Sequence, residues 1–342
     1  MLMRRLFFIY SLIAVVGMNS TSSLAEHPAV ISKGFIYESA SFPSCHASTI
    51  EETTDGALVS AWFGGTDEGN PDVGIWVSRL EQGSWTAPVE AATASGVPTW
   101  NPVLFQPAEG ELLLFYKAGK SPQSWSGLVK RSRDNGKTWS EAELLPAGIL
   151  GPIKNKPIQL DDGRIICGSS VESYRAWACW VEITADAGRT WSKHGPIDVK
   201  GEPYGIIQPT LFETGPGKLA MLCRSTRRIG KVCRATSDDN GVTWTRAETI
   251  DLIHPGSGID AVRIKDGRVV LIYNHTGRGR TPINVGVSTD AGKTFANVIA
   301  LETEPGEYSY PAVIQADDGK LHVTYTWKRK RIRYVVLDPD RL

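Results

Sequence analysis

One phrase of eight residues occurs four times in the chain, at Ser132 to Trp139, Thr184 to Trp191, Ser237 to Trp244 and Ser288 to Phe295. All four copies fit the pattern S/T-x-D-x-G-x-T-W/F. A phrase returning at a steady interval restricts the fold more than composition does, because it means that copies of one supersecondary unit are stacked side by side. Within each copy the Asp and Gly suit a tight turn with positive φ. The Thr and aromatic then start a new strand, and the ring plugs the hairpin against its own sheet. The carboxylates of Asp134, Asp186, Asp239 and Asp290 are therefore read as structural rather than chemical.

Between these turns a second unit repeats, an apolar strand followed by an acidic or glycine turn and another apolar strand. Its copies begin at His46, Asn101, Lys156, Gln208, Asp260 and Tyr310, 50 to 55 residues apart. That interval holds four short strands and their turns, so six copies predict an all-β, six-bladed β-propeller of four-stranded antiparallel blades. Blade one has a degenerate turn at Ser78 to Trp85, and blade six runs out at Arg331 to Leu337 without one. The segment Gly34 to Glu38 is then expected to supply the missing strand, closing the ring and covering an open sheet edge.

Ahead of this lies Met1-Leu2-Met3-Arg4-Arg5 and an apolar run from Leu6 to Val16, too short to span a bilayer as a helix. With Ser23-Leu24-Ala25 behind it, the segment reads as a signal peptide over 1–25, which leaves a single propeller over 26–342. The protein is thus expected to be exported, periplasmic or extracellular, without stable membrane insertion. Export permits disulfides: Cys167 with Cys179 and Cys223 with Cys233 are close pairs that either bond or stay as buried free thiols, and Cys45 is odd. No His/Cys cluster suggests a metal, and no motif implies a cofactor. Lys plus Arg equals Asp plus Glu at 37 each, so no net field draws the protein to nucleic acid, and Lys328-Arg329-Lys330-Arg331 is read as solvated surface.

The first strand of each blade lines the axis of a propeller, so the residues opening those strands meet at one mouth. They are His46, Trp100 with Asn101, Asn155 with Lys156, Gln208, Asp260, and Tyr308 with Tyr310, a polar and aromatic set suited to holding a sugar. The bland alternative is that they satisfy one another around a water-filled channel.

From Ser44 onward the chain resembles the sialidase (neuraminidase) superfamily, specifically its members with these Asp-box turns. The resemblance implies arginines that grip a substrate carboxylate, and Arg224 and Arg280 stand at two of the family's three positions, with Arg278 a neighbouring choice. An Arg-Ile-Pro motif should open blade one, where this chain has His46-Ala47-Ser48. The family's nucleophilic tyrosine sits in a Tyr-Ser motif opening the last blade, matched here by Tyr308-Ser309. Its acid lies in the loop Gly64 to Asp72, where Asp72 fits best and Glu68 and Asp67 are alternatives. Its glutamate base is replaced by Gln208, which cannot take a proton, so Asp260 or His46 would have to substitute. The resemblance implies an exported glycoside hydrolase acting on a terminal acidic sugar, sialic-type or uronic, of a glycan. A uronate-directed lyase or hydrolase using His46 and a tyrosine, and a glycan-binding propeller without catalysis, are the alternatives.

Overall fold

The computed structural model describes residues 27–342; the expected signal peptide lies outside them. Six antiparallel sheets form the ring of a six-bladed propeller, and the described residues contain no α-helix, only two short 3-10 turns. The axial strands are Ser44–Glu52, Thr99–Phe105, Ile158–Gln159, Ile206–Gly215, Asp260–Arg263 and Tyr308–Gln315. Blade six is closed from the other end of the chain, where Val30–Phe35 pairs antiparallel with Arg331–Leu337. This strand begins four residues before the expected Gly34, and Ile36 and Tyr37 turn away to pack with Phe42 and Trp62 of blade one. Blade one's outer edge is split into Ser84–Trp85 and Val89–Ala92, both paired with Gly74–Glu81.

The four Asp-box turns are built alike because the bonds to their Asp carboxylates are local. In each, the Ser or Thr opening the phrase donates to Oδ1 of the Asp at 2.8–2.9 Å. The Thr closing it donates its hydroxyl to Oδ2 at 2.6 Å. Burial is the largest single influence and raises these carboxyls, but the donated bonds together outweigh it and hold Asp134, Asp186 and Asp290 at about 2. At Asp239 the hydroxyl of Thr243 is the main cause of the same result. Two left-handed residues make each turn, as with Asn240 and Gly241 at φ 60° and 85°.

The aromatics of these turns do not plug only their own sheet, as the sequence suggests. Each packs at the seam with the preceding blade: Trp139 against the Val59 and Leu112 cluster, Trp191 against Phe115, Trp244 against the Ile166 and Leu219 cluster, and Phe295 against the cluster holding Phe212. The apolar core is accordingly a ring of seams between neighbouring blades, and burying both faces of each sheet explains why the second strands read as continuous apolar runs.

All five cysteines are buried free thiols. Cys223 and Cys233 face each other across adjacent strands, and Cys167 faces Glu182 rather than Cys179. Sγ of Cys179 instead lies 3.8 Å from that of Cys223 in the next blade.

Candidate active site at the axial mouth

In blades one, two, four and six the axial strand carries a bulge just inside the mouth, and the ladder slips at Ala47, Asn101, Gln208 and Tyr310. These four residues have φ of 58°, 30°, 53° and 52°. A left-handed backbone costs roughly 1–3 kcal/mol in a residue other than glycine, so it persists only where its surroundings hold it. The bulge breaks the two-residue alternation of the strand and turns the side chain at that point into the mouth.

Tyr310 is the centre of what results. Its hydroxyl oxygen accepts from Nη1 of Arg224 at 2.6 Å and lies 3.4 Å from Nε2 of Gln208. The same Arg224 nitrogen donates to Oε1 of Gln208 at 3.1 Å, which settles the amide so that its nitrogen points at Tyr310. The guanidinium of Arg280 stands 5.5 Å from the Tyr310 ring, and the His46 ring is 4.1 Å away. Arg278, the neighbouring choice, is exposed.

Tyr308, expected to be the reactive tyrosine, does not reach this centre. It precedes the bulge, and its ring is buried in the seam between blades five and six, with Val313, Val323 and Tyr325 in the same cluster. Its carbonyl accepts from Asn274 at 2.9 Å and its N–H donates to the carbonyl of Arg280 at 3.0 Å. Burial, followed by Glu302 and Glu304, raises its hydroxyl above the ordinary tyrosine value, against any role as an anion.

His46 is buried. Its Nδ1 meets Oγ1 of Thr326 at 2.9 Å, and its Nε2 has no partner. Burial first, then Arg329, Arg280, Arg224 and Lys154, push its pKa well below the ordinary value, so the ring is neutral.

Three expected binding residues turn out to hold blades together. Asp260 lies deeper than the bulge layer: it accepts from Thr210 at 2.8 Å, from the Val313 N–H at 2.9 Å and from Lys156 at 2.9 Å. With its partner Lys156 it ties blades three to six and offers neither a base to Tyr310 nor a free cation to a ligand. The lysine at the Tyr310 level is Lys154, which reaches the carbonyls of Pro311 and Ile259 and which burial lowers to about 7 despite Asp260. Asn101 donates to the carbonyl of Ile153 at 3.3 Å, and its own carbonyl is bound by the buried Lys117.

The loop after blade one's second strand is held folded. Asp72 is exposed and accepts from both the N–H and the hydroxyl of Thr66, at 2.9 and 2.6 Å, and the Thr66 hydroxyl leads in keeping its carboxyl below the ordinary value. Asp67 accepts from the N–H of Glu68, and Glu68 is paired with Arg329.

Two mouth residues escape sequence reasoning. Glu172 ends blade three's second strand two residues after Ser170, whose hydroxyl bonds the Gln208 N–H. Burial raises its carboxyl, with Arg224 opposing. Arg329, read from sequence as solvated, sits in the last hairpin of blade six beside Glu307 and Glu68. Charge at a strand end was the only signal for either.

A cavity of about 280 Å³ has Arg224, Arg227, Ser257, Arg280 and Trp177 in its wall, so it shares the two arginines of the Tyr310 centre without being lined by Tyr310 itself. A larger recess of about 530 Å³ lies at the outer rim, where Arg131 is paired with Glu143, Arg133 with Glu111, and Arg189 donates to the Asp186 carbonyl.

The BNR repeat-like domain matches residues 56–323, most of the propeller. The chain belongs to this family. Among curated relatives this BNR-repeat propeller is 24% identical over 220 residues to a sialidase of Bacteroides fragilis, and 28% identical over 262 residues to a sialidase of Micromonospora viridifaciens. The matches cover 58% and 65% of the chain but only 39% of either relative, so the chain spans about two fifths of their length. A protein of unknown function from Dyadobacter fermentans shares the fold with a TM-score of 0.77 at 21% identity, over 91% of this chain and 99% of its own.

Proposed function

We propose that this propeller is a glycoside hydrolase that binds the carboxylate of a terminal acidic sugar at the axial mouth and cleaves the glycosidic bond with Tyr310 as the reacting oxygen. The observation that carries this is the Tyr310 hydroxyl beside a cationic donor, Arg224, and the amide of Gln208. Donors aimed at an oxygen stabilise the negative charge that forms as its proton leaves. Gln208 therefore helps Tyr310 by donating, although it cannot take the proton. His46, its ring 4.1 Å from the Tyr310 ring and its Nε2 unpartnered, is an uncharged acceptor for that proton, a weak one while burial and the surrounding cations disfavour its charged form.

In the reaction so read, the Tyr310 oxygen attacks the anomeric carbon while the bond to the leaving oxygen breaks and a carboxylic acid protonates that oxygen. Water then releases the sugar from the tyrosine. A neutral tyrosine suits an anionic substrate because no two negative charges approach each other. Glu172 holds its proton more readily than Asp72, which donates only after leaving Thr66 and regaining a proton. Arg224 and Arg280 supply the carboxylate grip. The cavity, just below the roughly 300–1,000 Å³ usual for ligand sites, suits one sugar unit better than a chain.

The decisive experiment compares two single hydroxyl deletions on a panel of sialyl and uronyl glycosides. Tyr310→Phe should lower kcat by several orders of magnitude with binding retained, because the lost oxygen acts in the transition state; Tyr308→Phe should stay near wild type. The reverse pattern would return the chemistry to Tyr308. A glycan-binding propeller without turnover is the second reading, favoured by Gln208 itself, and binding without product across the panel would establish it. An ultraviolet-absorbing unsaturated product would mark a lyase instead.

A further inference from the structure

The side of the mouth formed by blade one offers no cation, since His46 stands there neutral. The cation nearest in effect comes from the far end of the chain. The hairpin Trp327 to Lys330 folds back so that the carbonyl of Arg329 accepts the N–H of Cys45 at 2.9 Å, fixing it against the residue before His46. Nε of Arg329 donates to Oε1 of Glu307 at 2.7 Å, the oxygen that also accepts from Arg280 and from Ser309. Its Nη1 donates to Oε2 of Glu68 in the Gly64 to Asp72 loop. One carboxylate thus spaces two guanidiniums, and a second caps the outer one.

These side chains are not interred: Arg329, Glu307 and Glu68 are 27%, 33% and 36% exposed. Three guanidiniums, Arg224, Arg280 and Arg329, thus stand against the two carboxylates of Glu307 and Glu68, one fewer than the arginines. Lys328 and Arg329 also sit at φ 52° and 59°, a turn that glycine or asparagine adopts with less strain, so the turn alone gives no reason for an arginine.

We propose that Arg329 is a third carboxylate-binding guanidinium of this mouth, standing in from blade six for the cation that blade one lacks. Glu68 holds the place of the ligand's carboxylate until the ligand arrives. The inference rests on the acidic-sugar reading, and its test separates the two.

Calorimetric titration with N-acetylneuraminic acid and D-glucuronic acid, each beside its methyl ester, isolates the carboxylate. Arg329→Gly removes the guanidinium while relieving the left-handed backbone, so a cooperative melt is expected. Binding of the preferred acid should weaken about 10- to 100-fold, the usual loss for a charged hydrogen-bond partner, with the ester within about twofold. Glu68→Gln should tighten acid binding in the wild-type background and give no gain in Arg329→Gly, since the two residues act through one contact. If Arg224→Ala abolishes the preference for acid over ester and Arg329→Gly leaves it intact, Arg329 is not a ligand residue and the acidic-sugar reading stands. A wild-type protein without preference for either acid overturns both. Weaker acid binding in Glu68→Gln overturns the stand-in role of Glu68.

Discussion

The outer rim and the axial mouth of this propeller use the same chemical groups to opposite ends. At the rim, four Asp-box turns repeat one hydrogen-bond pattern, with the Thr hydroxyl 2.6 Å from the carboxylate every time. At the mouth, the bulged strands present Ala47, Asn101, Gln208 and Tyr310, no two alike. The rim carboxylates are fully engaged with residues of their own turn. At the mouth His46 Nε2 lacks a partner and three arginines crowd around a few acceptors. Repetition marks what every blade needs in order to fold, and departure from it marks where a ligand can be served.

That contrast breaks down if rim and mouth substitutions have similar consequences. The largest effect is expected from Arg224→Ala, which should weaken an acidic sugar about 10- to 100-fold relative to its ester. Its unfolding in urea should change much less, because Arg224 is only partly buried and its partners Gln208 and Tyr310 keep each other. Equal loss for acid and ester would make Arg224 a structural residue like those of the rim.

Asp290→Ala should do the reverse. Removing a carboxylate that accepts from Ser288, Thr294 and the backbone should cost about 1–2 kcal/mol in urea unfolding, the range for charged hydrogen bonds discounted for exposure, with sugar binding unchanged. A binding defect at full stability would contradict the division.

The effect smallest per pH unit sharpens the comparison through stability as a function of pH. Burial above all, then Arg224, lowers His254 to about 3 in the fold against an ordinary 6.5. Between these values the unfolded chain takes a proton that the folded one refuses, so stability is lost as pH falls from about 6.5 toward 3. The neutral His46 acts in the same direction. The Asp boxes act lower: their carboxyls sit near 2 instead of 3.8, so their contribution survives until pH drops below about 3.8. His254→Asn should therefore flatten the stability profile between pH 6.5 and 4 by up to about 1 kcal/mol per pH unit and leave the steeper loss below pH 3.8 in place. Identical profiles for variant and wild type would show that His254 is not neutral in the fold.

The parts of the molecule legible in the sequence are those whose causes are short-range. An Asp box is complete within eight residues, so its turn, its carboxylate and its structural role can be read from one copy and confirmed by three more. The closing of blade six was also readable, because an unpaired last strand needs a partner and the N-terminal segment can provide one. Its register was not, since Val30 to Phe35 and Gly34 to Glu38 are both strand-like and only packing under blade one separates them.

At the mouth, depth and direction failed for a single reason. Counting along a strand assumes unbroken alternation, and one inserted residue turns every following side chain to the other face. Tyr308 and Tyr310 would share a face in a regular strand; the bulge separates them, burying one in a seam and presenting the other to Arg224. In blades three and five the counted positions, Lys156 and Asp260, lie below the bulge layer and neutralise each other.

The six-fold repeat, the all-β propeller, the structural Asp boxes, and two arginines and a tyrosine near the ends of converging strands follow from the order of residues along the chain. Which tyrosine faces the axis, which lysine and aspartate join blades, and the approach of Arg329 on the blade-six hairpin to blade one depend on the folded ring. Local hydrogen bonds can be read from neighbours in the chain. The mouth is made of contacts between blades, up to 280 positions apart where His46 meets Thr326, and only the closed ring brings them together.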